Sequence, residues 1–337
     1  MNQEDFVIPQ LYCPFRPEVN PHVETVEEHT LAWARRFSLA KDESGYERLR
    51  KTKPAKLAAR TYTSASLDEL AIGSDWNTWL FSIDDECDET GIGKRPERLK
   101  ALHAQCLEVL SGQAPEHVSN RSRPRPGRPD VPLILALDEL RGRMQNLMPR
   151  AWMDRFAVSV SEYFEASVWE SENRERGAWP DSVTYSRMRP YTGAVYTVIN
   201  LIDMTEAHTL PLVVREHPCY RRLMLITCNV VCWCNDLISL RKERAHGDIH
   251  NLALILQHEG HITLQAAVDR AARLIEREVK DFMVLQNDLP SFGPEVDGIV
   301  RRFVVGMGAW IRGNLDWSYE SGRYQVAAEE RIAVPVA

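Results

Sequence analysis

The sequence has no run of about 18 or more consecutive apolar residues, so a membrane-spanning helix is not expected. Its start, MNQEDFVIPQ, lacks both a basic n-region and an apolar h-region, which argues against a signal peptide. It lacks an excess of positive charge as well: 41 lysines and arginines stand against 48 aspartates and glutamates, a formal net charge of −7. A field of that sign argues against nucleic acid as a partner. The seven cysteines are an odd count without the spacing of a disulfide framework, which suits reduced thiols and a cytoplasmic setting. Neither a Gly-rich phosphate loop after a strand nor an HExxH pair of histidines occurs, and no segment repeats with a period of roughly 20–50 residues. Cys228, Cys232 and Cys234 do not make a zinc site: the first two share a helical face, the third points elsewhere, and no histidine is near in sequence. They read as small thiols packed between helices.

What remains is ordinary globular material, 44% hydrophobic and 26% charged, in 337 residues that can bury one large core. Residues 6–21 carry Pro9, Pro14, Pro17 and Pro21, which block regular helix and predict an extended arm laid over the domain. Beyond it the apolar residues recur at helical steps. In 151–174, for example, Trp152, Phe156, Val160, Tyr163, Phe164 and Trp169 form one face. The same periodicity predicts helices over 26–39, 191–208, 220–243, 263–289 and 295–324. The basic, proline-rich stretch 121–129 reads as a solvated loop between helices rather than a domain boundary. The expectation is a single all-α domain over 26–325, with 1–25 as the arm and 326–337 as a tail.

Four groups of residues carry chemistry. In Asp84-Asp85-Glu86-Cys87-Asp88-Glu89, Asp84 and Asp88 share a helical face, and Asp85 and Glu89 form a second such pair. Packing so many carboxylates on one helix end is repulsive unless a cation compensates, and hard oxygen ligands suit Mg²⁺. Asn235, Ser239 and Glu243 make a second stripe at i, i+4 and i+8, following the apolar run from Leu223 to Trp233. It offers an amide oxygen, a hydroxyl and a carboxylate to one ion. Arg323-Tyr324, at the end of the last long helix, supplies a planar fork and a hydroxyl that suit phosphate oxygens. In Arg187-Met188-Arg189-Pro190-Tyr191-Thr192-Gly193, the proline predicts a break or kink beside Arg189.

In this order, the four groups resemble the bacterial class I terpene synthases. The DDxxD motif of that family reads here as Asp84-Asp85-Glu86-Cys87-Asp88. Its NDxxSxxxE motif reads as Asn235-Asp236-Leu237-Ile238-Ser239-Leu240-Arg241-Lys242-Glu243, with the common lysine before the glutamate. The family's diphosphate-sensing arginine lies 46 residues before the asparagine, which is Arg189 here. Thr192 then falls on the linker position and Gly193 on the effector position. The arginine–tyrosine pair, about 80 residues after the glutamate, falls on Arg323 and Tyr324. The arm with Leu11-Tyr12-Cys13-Pro14-Phe15 also looks like the family, so the resemblance spans residues 6–324. In the first motif Asp88 and Glu89 are both acidic, and either fits the second ligand position.

The resemblance implies a helical bundle around a central apolar cavity and three Mg²⁺ ions. Asp84, with Asp85, Asp88 or Glu89, would hold them on one side, and Asn235, Ser239 and Glu243 on the other. It implies that Arg189, Lys242, Arg323 and Tyr324 grip the diphosphate of a prenyl substrate, and that Asp84, Arg189 and Gly193 are central to ionisation. Phe81, one turn deeper than Asp84 on the same helix, is a candidate cavity residue, and Trp310 and Trp317 match positions where the family places cavity aromatics, whose faces stabilise a cation. The activity implied is cyclisation of an allylic diphosphate, farnesyl diphosphate first and geranylgeranyl diphosphate as the alternative. A homodimer is an expectation of the family alone. Two rival readings are weaker. A chain-elongating prenyl diphosphate synthase needs a second aspartate-rich motif where this chain has Asn235, Ser239 and Glu243. A helical binding protein with a degenerate site would not keep ligands at both rims.

Overall fold

The computed structural model describes residues 6–91, 93, 95–112, 130–206 and 209–324, with backbone alone for Asp88, Glu89, Thr90 and Asp130. The loop 121–129, the tail 326–337 and the side chains of Asp88 and Glu89 therefore lie outside the described residues. Among these residues the regular structure is helical: α1 (Val23–Arg36), α2 (Glu43–Thr52), α3 (Pro54–Thr61), α4 (Leu67–Thr90), α5 (Pro96–Ser111), α6 (Asp130–Leu147), α7 (Arg150–Arg176) and α8 (Ser182–Thr192). There follow α9 (Val195–Asn200), α10 (Ile202–Thr205), α11 (Leu212–Arg215), α12 (Pro218–His246), α13 (Leu252–Gly260), α14 (Leu264–Leu285) and α15 (Pro294–Glu320).

Local sequence explains where the long helices start and stop. α4 opens on a capping box between Ser66 and Glu69 and closes on Gly91 at φ +67°. α12 has Pro218 in its first turn and closes on Gly247 at φ +72°. α14 starts from the Thr263 cap and buries Val268, Ala271, Ile275, Val279 and Phe282 along one stripe. α12 is the central element: it packs against α14 and α15, and α15 in turn packs on α3. By length and composition α12 could cross a membrane, but 78% of its most apolar window is buried by its neighbours, which is how the core helix of a bundle reads. The arm is fastened at several points. Arg241 donates to the Phe6 carbonyl at 2.8 Å, Gln265 exchanges hydrogen bonds with the Val7 backbone, and the Asn20 amide donates to the Ala65 carbonyl at 2.8 Å.

Four expectations need correction. Pro190 does not break its helix; α8 runs on to Thr192, because a proline in the last turn deprives the helix of only one late hydrogen bond. The break falls at Ala194, in the left-handed region at φ +55°, so the helix expected over 191–208 is cut into the short pieces α9 and α10. The last helix stops at Glu320, since Ser321 is extended and its hydroxyl is held by the Thr52 carbonyl at 3.0 Å. Arg323 and Tyr324 sit in the 3₁₀ turn Gly322–Tyr324 rather than in the helix. α1 also begins at Val23, inside the span expected for the arm.

Deep between α5 and α7, His103 stacks on Phe164 at 3.9 Å with the rings 9° apart, and burial pushes its pKa down to about 3. The folded chain thus keeps this imidazole neutral, while the unfolded chain protonates it near pH 6.5. Its stabilising share is complete above about pH 6.5 and is lost progressively as the pH falls toward about 3. A His103→Phe variant should therefore lose about 1.5 kcal/mol less stability than the parent between pH 6.5 and 5. Denaturant midpoints at the two pH values measure this; parallel losses in both proteins would refute it.

Candidate active site

The acidic run ends α4, where the helix macrodipole is already negative and carboxylates are unfavourable. The chain supplies its own compensation. Arg323 forks onto the pair, with Nη2 2.7 Å from Asp84 Oδ2 and Nη1 3.1 Å from Asp85 Oδ1. The two carboxylates remain 60% and 51% exposed, whereas the arginine is 11% exposed, so the acids form the rim and the guanidinium lies beneath it. Below the guanidinium is the Phe81 ring, 4.6 Å away, and Phe81 stacks on Trp317 at 5.5 Å and 7°. Tyr324 meets the same tryptophan edge-on at 5.7 Å.

The second stripe sits near the C-terminal end of α12. Asn235 is held from both sides: its Oδ1 accepts from Arg189 Nη2 at 2.9 Å, and its Nδ2 donates to the Tyr324 hydroxyl at 2.7 Å. The Ser239 hydroxyl spends its proton on the Asn235 carbonyl at 2.7 Å, which leaves its oxygen as an acceptor. Glu243 loses solvent and lies near Asp236, and both push its carboxyl up to about 8. A carboxylate in that position calls for a cation. No cluster of three or more histidine, cysteine, aspartate or glutamate side chains that could hold a metal occurs among the described residues. The donor set here is instead amide, hydroxyl and carboxylate oxygen, a set that suits Mg²⁺ completed by water and substrate oxygens. The residues present therefore fit a hard divalent ion.

Arg189 is locked to α12 through a residue off the stripe. Its Nε donates to Asp236 Oδ1 at 2.8 Å, and Asp236 is fully buried. The other oxygen of Asp236 accepts from the Tyr185 hydroxyl at 2.8 Å and from the Leu252 backbone N–H at 3.0 Å. Beside it, Gly193 packs so tightly on α12 that a Cβ there would lie 2.7 Å from Cys232 Sγ. A glycine is needed at that contact for space, not for backbone angle.

One hydrogen-bonded chain thus runs from Asp84 and Asp85 through Arg323-Tyr324 to Asn235, and on through Arg189 to Asp236. All four groups singled out in the sequence meet in it. The family model "Terpene synthase family 2, C-terminal metal binding" matches residues 75–281, which take in both acidic stripes and Arg189. The chain belongs to the terpene synthases. It is similar to a (+)-T-muurolol synthase of Roseiflexus castenholzii, 40% identical over 94% of this chain and 93% of the relative. A germacrene A synthase of Nostoc punctiforme is 36% identical over 96% of each chain. The crystal structure of germacradien-4-ol synthase from Streptomyces citricolor shares the fold, with a TM-score of 0.79 over 92% of this chain and 98% of that one.

Within this terpene synthase fold the expected aromatics part ways. Phe81 stands at the rim, directly under Arg323. Trp317 is buried and anchored outward: its Nε1 donates to the Thr52 and Lys53 carbonyls at 2.8 and 3.0 Å. Trp310 meets Tyr62 edge-on at 5.4 Å, and its buried Nε1 has no hydrogen-bond partner among the described residues. Lys242 is half-buried beside Glu243. A groove of about 250 Å³ lined by Tyr191, Tyr196, Asp203, Tyr220 and Phe303 lies toward the opposite end of α12; Tyr191 belongs to the Arg187–Gly193 group, but none of the proposed metal ligands or diphosphate-binding residues lines it. Sequence reading missed Asp236, Tyr185 and Asn251. The signal for Asp236 was present: an acid on the same face as Trp233, Leu237 and Leu240 is a buried charge that needs a partner.

Proposed function

We propose that this chain is a sesquiterpene cyclase that ionises farnesyl diphosphate in the presence of Mg²⁺, closes the carbocation into a cyclic hydrocarbon or alcohol, and releases diphosphate. The hydrogen-bonded chain from Asp84 to Asp236 carries the reading, because it sets two oxygen-rich edges and two arginines around one mouth. The relative from Roseiflexus castenholzii is named as cyclising (2E,6E)-farnesyl diphosphate, which supports the C15 substrate.

Asp84, with Asp85, Asp88 or Glu89, would hold Mg²⁺ on the α4 edge, and Asn235, Ser239 and Glu243 would hold it on the α12 edge, with three ions in all. Bound Mg²⁺ supplies Lewis-acid stabilisation of the departing diphosphate. Arg189, Lys242, Arg323 and Tyr324 donate charge-assisted hydrogen bonds to the diphosphate oxygens and orient them. Arg323 serves both edges of the mouth, since its neighbour Tyr324 is bonded to Asn235. The aromatic faces of Phe81 and Trp310 stabilise positive charge in the hydrocarbon by about 0.5–2 kcal/mol each without reacting with it. The Trp310 ring is buried and the Phe81 ring half-buried, which limits the access of water to the cation. The arm 1–25 and the tail 326–337 flank the catalytic unit 26–325.

Incubating the purified chain with Mg²⁺ and C10, C15, C20 or C25 prenyl diphosphates, extracting with hexane and analysing by mass spectrometry tests this. A cyclic C15 product from farnesyl diphosphate is expected. A C20 product would move the substrate to geranylgeranyl diphosphate, longer diphosphates would indicate elongation, and no turnover of any of the four would overturn the reading.

A further inference from the structure

We infer that Asn251 is a positioning residue for Glu243, setting the carboxylate of that ligand from outside the motif. The inference rests on the proposed metal-dependent reading of the α12 edge. Asn251 lies in the turn after α12 and is fully buried. Its Oδ1 accepts from the Ala253 backbone N–H at 2.9 Å and caps α13. A backbone N–H can only donate, so that contact identifies the oxygen and places both amide protons on the other side. One goes to the Asp236 carbonyl at 2.5 Å and the other to Glu243 Oε2 at 2.8 Å. Every hydrogen-bonding atom of the side chain is therefore occupied, and the group cannot turn.

The geometry of α12 explains why such a clamp is useful. Asn235, Ser239 and Glu243 are spread over eight residues, about 12 Å of helix axis. One ion cannot meet all three unless the outermost and longest side chain reaches back. A free glutamate loses rotamer freedom in doing so. A donor fixed on Oε2 sets the plane of the carboxylate, and with it the direction of the second oxygen. Because the same amide holds the Asp236 carbonyl, the plane is referenced to the helix turn that carries Asn235 and the partner of Arg189.

A cap and a clamp can be separated by experiment. Asn251→Ser keeps a hydroxyl that can cap Ala253 but is too short to reach Glu243, whereas Asn251→Ala loses both functions. Binding of Mn²⁺ in the presence of inorganic diphosphate, followed by electron paramagnetic resonance on the full chain, reads the site without turnover. Thermal unfolding without metal reads the cap. The parent should bind Mn²⁺. The serine variant should unfold close to the parent yet bind Mn²⁺ about 10–100-fold more weakly, the range for loss of a group that orients a metal ligand. The alanine variant should lose affinity and thermal stability together. Mn²⁺ affinity of the serine variant within twofold of the parent would overturn the role of Asn251 while leaving the metal reading in place. Failure of the parent itself to bind Mn²⁺ with diphosphate would overturn both.

Discussion

Asn235→Leu should cut turnover of farnesyl diphosphate by at least about 10²-fold, about 3 kcal/mol of barrier, while moving thermal unfolding far less. Leucine keeps the branching of asparagine at Cγ, though it is bulkier, and offers no oxygen, so the α12 edge loses its first proposed ligand. The same substitution removes the acceptor for Arg189 Nη2 and the donor to the Tyr324 hydroxyl, which uncouples the two sides of the mouth. Arg189 nevertheless keeps its bond to Asp236, so no charge is left unpaired in the interior. The stability cost is then that of unsatisfied polar atoms, about 1–3 kcal/mol. Steady-state kinetics and melting temperature on the same preparation check both halves. Turnover within tenfold of the parent would show that Asn235 is not a ligand.

Asp236→Ala should behave differently, losing stability and activity together. It removes the fully buried carboxylate that pairs with Arg189 and leaves a guanidinium that is 12% exposed without that counterion. Breaking a buried ion pair from one side costs about 3–5 kcal/mol, which in a chain of this length should lower the melting temperature by about 4–7 °C. The Leu252 N–H loses its acceptor as well and the Tyr185 hydroxyl is left with the His250 carbonyl alone, so α8 and the start of α13 loosen from α12. Arg189 then keeps its bond to Asn235 Oδ1 but loses the charged partner that fixes its Nε edge, so its aim at diphosphate is less well defined. A melting temperature within 2 °C of the parent would mean that Asp236 is not the anchor. The contrast between neighbours is informative: one residue on the helix faces the mouth, and the next faces the core.

That contrast also marks what the sequence disclosed. Candidate ligands spaced by four along a helix are readable because the helical repeat alone puts them on one face, and Asn235, Ser239 and Glu243 needed no tertiary information to be singled out. Arg189 and Arg323 became readable only through their distance from that stripe in a family pattern. Asp236 and Asn251 escaped because their work is done toward neighbouring helices, and periodicity says that a position is buried without saying what it meets. Helix ends were read least well. The last helix stops at Glu320, where Gly322 follows closely and the Ser321 hydroxyl bonds the Thr52 carbonyl, a contact between residues far apart in sequence. The break at Ala194 rather than Pro190 has a similar origin, since the close approach of Gly193 to Cys232 is a tertiary contact.

The fork of Arg323 on Asp84 and Asp85 changes what entry of a cation at that rim means. The acids are not waiting in water; they already have a counterion that is part of the chain. Recruitment there is an exchange of partners, and its net free energy is a difference between two ion pairs rather than the whole of one. A displaced guanidinium would stay at the mouth, because its neighbour Tyr324 is tied to Asn235, and would be free there to meet a negative group. The end of α4 thus has a positive partner both before and after such an exchange.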